Sequence, residues 1–146
     1  ASNANFFLPD RIFTHFEKQE HEVTGCGKLQ DDIVRIHDIL KNATSKSLLL
    51  INEMFASTTL ADALELGRAV MQEISQKDMF CIYVTFLEEL AFFDKKSVSM
   101  VSQIDSDHET RTFLVIRQPA NGKAYALSLA AKYLLTYEDV IRRIKR

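Results

Sequence analysis

The chain has 146 residues, of which 47% are hydrophobic and 26% are charged, a composition typical of an ordinary globular protein rather than a disordered or fibrous one. Eighteen Lys and Arg residues against twenty Asp and Glu residues leave a net charge of -2, so no overall positive field attracts the chain to nucleic acid or anionic membranes. Its apolar runs are far shorter than the roughly 18 residues that a membrane-spanning helix needs. We therefore expect no membrane partner.

The two cysteines, Cys26 and Cys81, form neither a CxxC pair nor a Cys/His ligand pattern, which disfavours a zinc site and a disulfide framework. Reduced thiols and a cytoplasmic location are the expectation. We interpret residues 1–4 as a remnant of cloning. Because no linker and no repeat interrupts the rest, residues 5–146 are expected to form one unit.

The first predicted helix spans Asp31–Ala43, where apolar residues recur every three or four positions and share one face. The run Ser47–Ile51 is apolar without alternation, which predicts a strand covered on both faces of a parallel sheet. A second helix is predicted to begin at Thr59, whose hydroxyl caps it in a reciprocal arrangement with Asp62. Its predicted buried face comprises Leu60, Ala63, Leu64, Gly67, Val70, Met71 and Ile74.

After a polar break at Ser75–Asp78, the segment Phe80–Val84 is rich in β-branched and aromatic residues and is predicted to be a second buried strand. The order strand, helix, strand predicts a parallel pair. The segments Val98–Ile104 and Thr112–Ile116 are predicted to form an antiparallel hairpin, joined by the polar segment Asp105–Glu109.

Two helices are predicted to close the chain. The apolar face of the first comprises Leu127, Ala130, Ala131 and Leu134. The second is predicted to begin at Thr136, with Asp139 in the capping position. Its expected buried residues are Val140, Ile141 and Ile144.

The end of the first strand carries the most informative polar residues, Asn52 and Glu53. In open α/β sheets, ligands bind at the carboxyl ends of the strands. A carboxylate in that place can orient a water that attacks a phosphoryl group, while its neighbour helps to hold magnesium. The alternative is a strand that simply enters solvent through polar residues.

The stretch Asn42–Glu53, followed by Ser57–Thr59 and Asp62–Leu64, closely resembles the Walker B and D-loop region of the MutS family of DNA mismatch-repair ATPases. Other segments match the family in the same order: Asp10–Thr14, its Asp-Arg-Ile-Phe-Thr; Val84–Leu90, its Ala-Thr-His and Glu-Leu; Ser97–Gln118, its antiparallel pair; and Ala124–Ala131, its Ser-Tyr-Gly-Ile and following helix. The resemblance covers residues 8–143.

The resemblance implies the carboxyl half of an ABC ATPase-like P-loop NTPase, an α/β fold with a mostly parallel sheet, an antiparallel hairpin and flanking helices. It also implies a homodimer that sandwiches ATP and Mg²⁺ and reaches DNA through domains outside this chain. The P-loop pattern GxxxxGK[ST] is absent, since neither Glu22 nor Leu29 fits it around Gly27 and Lys28. We therefore expect an excised fragment that is inactive alone and holds no metal or nucleotide.

The resemblance assigns Glu53 as the catalytic residue that positions water, and places Asn52 near Mg²⁺ in the parent. It assigns nucleotide contacts to Asn52, Phe86, Gly27, Lys28, Thr58 and Thr59. Several of these positions depart from the family, because Asn52 replaces an acidic residue and Phe86 replaces the switch histidine. Gly27-Lys28-Leu29 stands where the family has Ser-Thr-Phe, and the D-loop lacks its glycine-rich turn.

Two hypotheses remain open at this point. The parent is either a MutS-like ATPase coupled to DNA, or a non-hydrolysing dimerisation module derived from the same fold. Among weaker candidates, His15, His21, His37 and His108 have no metal-binding spacing and are expected at the surface. Cys26 stands between two glycines with His21 nearby, but a nucleophilic role is disfavoured because it needs an electropositive pocket that the sequence does not show. The basic tail Arg142–Arg146 suits either DNA phosphate or the dipole of its own helix, and the helix dipole is favoured.

Overall fold

The structure is a computed structural model that describes residues 3–5, 7–16, 27–104, 111–120 and 126–144. The chain divides into two compact units, residues 1–97 and 98–146. The prediction that residues 5–146 form one portion of a MutS-like ATPase domain stays a prediction. None of the helices in the described ranges is long and apolar enough to cross a membrane.

The first unit contains a parallel sheet whose strands, in the order β1-β2-β3, are Ile12–His15, Leu48–Asn52 and Phe80–Val84. Helix α1, Lys28–Asn42, connects β1 to β2, and helix α2, Leu60–Lys77, connects β2 to β3. A short 3₁₀ helix, Glu88–Phe92, follows β3. The predicted parallel pair of β2 and β3 is therefore confirmed.

Strand register divides the side chains of the sheet into two faces. The inner face includes Leu49 and Ile51, which lie in the hydrophobic core with Ile36, Val70 and Ile74 from the two helices. On the outer face the side chains are also apolar but more exposed: Ile12, Leu48, Leu50, Phe80, Ile82 and Val84. The prediction that β3 is a buried strand is thus wrong for its outer face, because an apolar run does not reveal how many faces are covered.

The predicted start of α2 is confirmed, since the Thr59 hydroxyl accepts a hydrogen bond from the Asp62 amide at 3.2 Å. The helix continues to Lys77 through the predicted polar break, and Asp78 ends it in the left-handed region, with φ 54. Leu60, expected on the buried face, is 71% exposed because it is the first residue of the helix. Helix α1 begins at Lys28, earlier than its apolar pattern indicated.

The second unit contains strands β4, Met100–Ile104, and β5, Arg111–Arg117, which pair antiparallel as predicted. The connecting segment Asp105–Glu109 lies outside the described residues. Helices α3, Ala126–Lys132, and α4, Tyr137–Ile144, follow.

The Thr136 cap on α4 is confirmed, because its hydroxyl accepts from the Asp139 amide at 3.4 Å. The predicted burial of Val140 and Ile144 is wrong, since they are 39% and 74% exposed. Apolar spacing identifies a helix face but does not guarantee that the same unit covers it.

Candidate functional site at the carboxyl edge of the sheet

The parallel register brings the ends of β2 and β3 to one edge, which we call the carboxyl edge: Asn52 and Glu53 with the segment Val84–Phe86. Asn52 pairs with Val84, and the Glu53 amide donates to the Val84 carbonyl at 2.9 Å. Phe86 follows two residues later. This edge therefore brings together Asn52, Glu53 and Phe86, three of the residues that the sequence singled out.

Glu53 is held in a strained turn. Its φ is 54° and that of Phe55 is 66°, both in the left-handed region that non-glycine residues rarely adopt. Met54 and Phe55 are 3% and 1% exposed, so burial of these two side chains offsets the local backbone cost. Glu53 itself is partly exposed. The turn thus buries Met54 and Phe55 in the core and leaves the Glu53 carboxylate accessible at the edge.

Thr58 and Thr59 stand at the start of α2, which returns from the carboxyl edge. The Thr59 hydroxyl caps the helix, and the Thr58 hydroxyl donates to an Asp62 carboxylate oxygen at 3.2 Å. The expected reciprocal cap is therefore only half formed, because the Asp62 carboxylate is used by Thr58. Both predicted nucleotide contacts already have a structural role in the helix start.

Phe86 is 87% exposed, and its ring offers no hydrogen-bond donor. The turn around it is held by the Thr85 hydroxyl, which accepts from the Leu87 amide at 3.0 Å. An exposed aromatic ring at this position can pack against a flat or apolar group, but it cannot donate to a phosphate.

Gly27 and Lys28 begin α1 and approach the edge from a different element. Gly27 is the N-cap residue and makes no side-chain cap hydrogen bond. A Cβ built on Gly27 would meet no atom within 4 Å. Because α1 follows β1 and returns to the start of β2, its first residues lie toward the carboxyl ends of the strands. The strand pairing does not by itself place Gly27 and Lys28 next to Asn52 and Glu53.

His15 corrects the expectation of surface histidines, since it is 1% exposed at the end of β1. Its Nε2 lies 3.3 Å from the Asp32 carbonyl oxygen and 3.6 Å from an Asp32 carboxylate oxygen. Burial, and then the nearby Arg35 charge, lower the pKa of His15 below its ordinary value. The feature that indicates burial is the position of His15 two residues after Phe13, on the same inner face of the sheet. Only the register of β1 against β2 shows this.

The remaining candidates add little to the site. Burial raises the pKa of the Cys81 thiol to about 12, which disfavours a nucleophilic thiolate. Cys26, His21 and His108 lie outside the described residues. In the tail, Arg143 donates to the Leu134 carbonyl at the preceding turn, a contact that supports a local structural role.

No group of three or more His, Cys, Asp or Glu side chains within the described ranges could hold a metal ion. The edge offers one amide oxygen, from Asn52, and one carboxylate, from Glu53. Mg²⁺ commonly binds through one or two carboxylates together with waters and substrate phosphates, so this pair fits a partial contribution to a Mg²⁺ site.

Comparison with known proteins identifies the family. The model of MutS domain V matches residues 1–145. The DNA mismatch repair protein MutS of Finegoldia magna is 27% identical over 136 residues, covering 89% of this chain and 16% of that protein. The MutS proteins of Lachnoclostridium phytofermentans and Clostridium botulinum are 31% and 32% identical over 99 and 93 residues, which cover 66% and 62% of this chain.

The chain spans only 16%, 11% and 10% of the length of these three relatives. Its α/β architecture, with a parallel sheet and an antiparallel hairpin, agrees with the carboxyl part of a P-loop NTPase fold. The match to the family model extends over nearly the whole chain, and the chain therefore belongs to the MutS domain V family.

Proposed function

We propose that this chain is a divergent carboxyl part of a MutS-family ATPase domain, which contributes Glu53 to an ATP site as the residue that positions the attacking water. The observation that carries the proposal is the hydrogen bond from the Glu53 amide to the Val84 carbonyl at 2.9 Å. It fixes a partly exposed carboxylate beside the segment that leads to Phe86. Such an arrangement suits water activation at the carboxyl edge of a parallel sheet.

The phosphate-binding loop lies elsewhere in the parent protein. Asn52 would help to hold Mg²⁺, which neutralises phosphate charge when it is bound with ATP. Gly27, Lys28, Thr58, Thr59 and Phe86 would border the nucleotide. The parent would be a cytoplasmic homodimer through its ATPase domain and would bind DNA through other domains. The names of the relatives support a role in DNA mismatch repair.

The second candidate is a non-hydrolysing dimerisation module of the same fold. Two observations favour it: Asn52 brings no negative charge toward a metal, and Phe86 is 87% exposed without any donor for a phosphate. In this case the dimer would persist while turnover is lost.

The test is the Glu53→Gln variant of the full-length parent. We expect kcat for ATP to fall about 100-fold or more, because the carboxylate that orients water is lost. The ATP Kd should stay within about twofold, because the amide retains size and polarity. Glu65→Gln, an exposed position on α2, is the matched control and should change neither value. An unchanged kcat in Glu53→Gln contradicts the role of Glu53, and a wild-type parent without turnover favours the second candidate.

A further inference from the structure

The end of β1 is held to α1 by the backbone carbonyl of Asp32 and the side chain of Arg35, a contact that we call the β1–α1 clamp: His15 and Phe16 with Asp32 and Arg35. The His15 Nε2 lies 3.3 Å from the Asp32 carbonyl oxygen. Arg35 donates through both terminal nitrogens to the Phe16 carbonyl, at 3.3 and 3.2 Å. The last residue of the strand and the residue after it are thus both fixed by the second turn of the helix.

The clamp provides a buried polar contact near the start of α1, where Leu29 also packs against the core. The buried residues of this helix are Asp32 and Ile36, whereas Ile33 and Val34 are 39% and 51% exposed. The N-cap residue Gly27 makes no side-chain hydrogen bond. The direction of the first turns therefore depends on the packing of Leu29 and on the contact between Asp32 and His15, without a side-chain cap at Gly27.

Burying the imidazole of His15 also carries an energetic cost. Its Nδ1 is buried and has no hydrogen-bond partner among the described residues. An apolar side chain would fill the volume without an unpaired nitrogen. What the ring adds is the directional contact from Nε2 to Asp32.

We propose that His15 is a positioning residue that, together with Arg35, fixes the first turns of α1 and thereby sets where Gly27 and Lys28 stand at the carboxyl edge. The role of Gly27 and Lys28 beside a nucleotide rests on the proposed function. The clamp itself does not, and it can be tested in this chain alone.

The first test is amide hydrogen exchange of residues 32–36, at a pH about one unit above the ordinary histidine pKa of about 6.5, so that His15 is neutral. His15→Leu removes the donor, and exchange there should rise about 3- to 10-fold more than in the rest of the chain, as expected for one lost hydrogen bond. His15→Gln keeps an N–H donor at a similar distance from the backbone and should restore protection. Ile74→Val, a core change in α2, is the control for general destabilisation.

A selective rise in His15→Leu with rescue by His15→Gln supports the clamp. A rise spread evenly over α1 and α2, as in the control, overturns it, and so does a His15→Gln variant that exchanges as fast as His15→Leu.

The second test addresses the link to the nucleotide, in the full-length parent. If His15 acts through the start of α1, the double variant His15→Leu with Lys28→Ala should raise the KM for ATP no more than Lys28→Ala alone. Additive effects of the two substitutions overturn the positioning role. A wild-type parent without ATP turnover would count against the proposed function, while hydrogen exchange would still decide the clamp.

Discussion

Glu53 combines a proposed catalytic role with an unfavourable backbone conformation. At φ 54 a residue with a Cβ carries a conformational cost that glycine avoids. We therefore expect Glu53→Gly to be more stable than Glu53→Ala by about 1 kcal/mol, because both remove the carboxylate but only glycine relieves the strain. Urea unfolding of the two variants measures the difference. An alanine variant as stable as the glycine variant would show that the turn is relaxed at this position.

His15 gives the chain a distinct pH dependence. Its pKa in the folded chain is lowered by burial and by Arg35, so the unfolded chain binds the proton more readily. Above about pH 6.5 both states are neutral at His15, and stability does not depend on it. As the pH falls below that value, the unfolded chain is protonated first, and the free energy of unfolding should decrease until the folded pKa is reached.

The comparison with His15→Gln isolates this contribution, because the other titrating groups are common to both proteins. As the pH falls through this range, the wild type should lose unfolding free energy relative to His15→Gln, so the difference between the two proteins should change with pH. Parallel curves for the two proteins would show that His15 titrates in the folded chain as it does in the unfolded one.

Among the elements, α2 has the best defined beginning. Thr59→Ala should lower the free energy of unfolding by about 1 kcal/mol, because the Asp62 amide loses its hydroxyl acceptor. Thr59→Ser retains an acceptor and should stay close to the wild type. Thermal or urea unfolding of both variants checks this. If serine and alanine destabilise the chain equally, the cap contributes nothing beyond the packing of the threonine methyl group.

Sequence patterns predicted the positions of helices and strands better than the burial of their side chains. The capping residues Thr59 and Thr136 marked two helix starts correctly, because a cap is a local interaction. The exposure of Phe80 and Val84 was missed, because burial depends on what covers a sheet face and not on the strand itself. Strand β1 was not predicted from periodicity, because a segment of 4 residues is too short to show a pattern. Its sequence was noted only for its resemblance to the family.

The candidate site was predictable in part for the same reason. Parallel pairing follows from the order of elements, and it brings Asn52 and Phe86 to one edge. The buried His15 could not be foreseen, because its burial depends on a register between β1 and β2 and on α1 seventeen residues further along the chain. The assignments of Gly27, Lys28, Thr58 and Thr59 came from resemblance alone and stay predictions.

For the molecule as a whole, we propose that this chain supplies only one side of an ATP site. Most phosphate affinity in P-loop proteins comes from the amide-lined loop and its lysine, and the pattern for that loop is absent from this sequence. Glu53 adds a negative charge that disfavours binding of free nucleotide, and Asn52 does not compensate for the missing donors.

Isothermal titration of ATP with Mg²⁺ into this chain, with the full-length parent as the positive control, tests whether the chain alone holds an ATP site. We expect saturable binding to the parent and no saturable heat from this chain in the micromolar range. Saturable heat from the chain alone that disappears on chelation of Mg²⁺ would reveal a complete metal and nucleotide site without a P-loop, and would rule out a one-sided site.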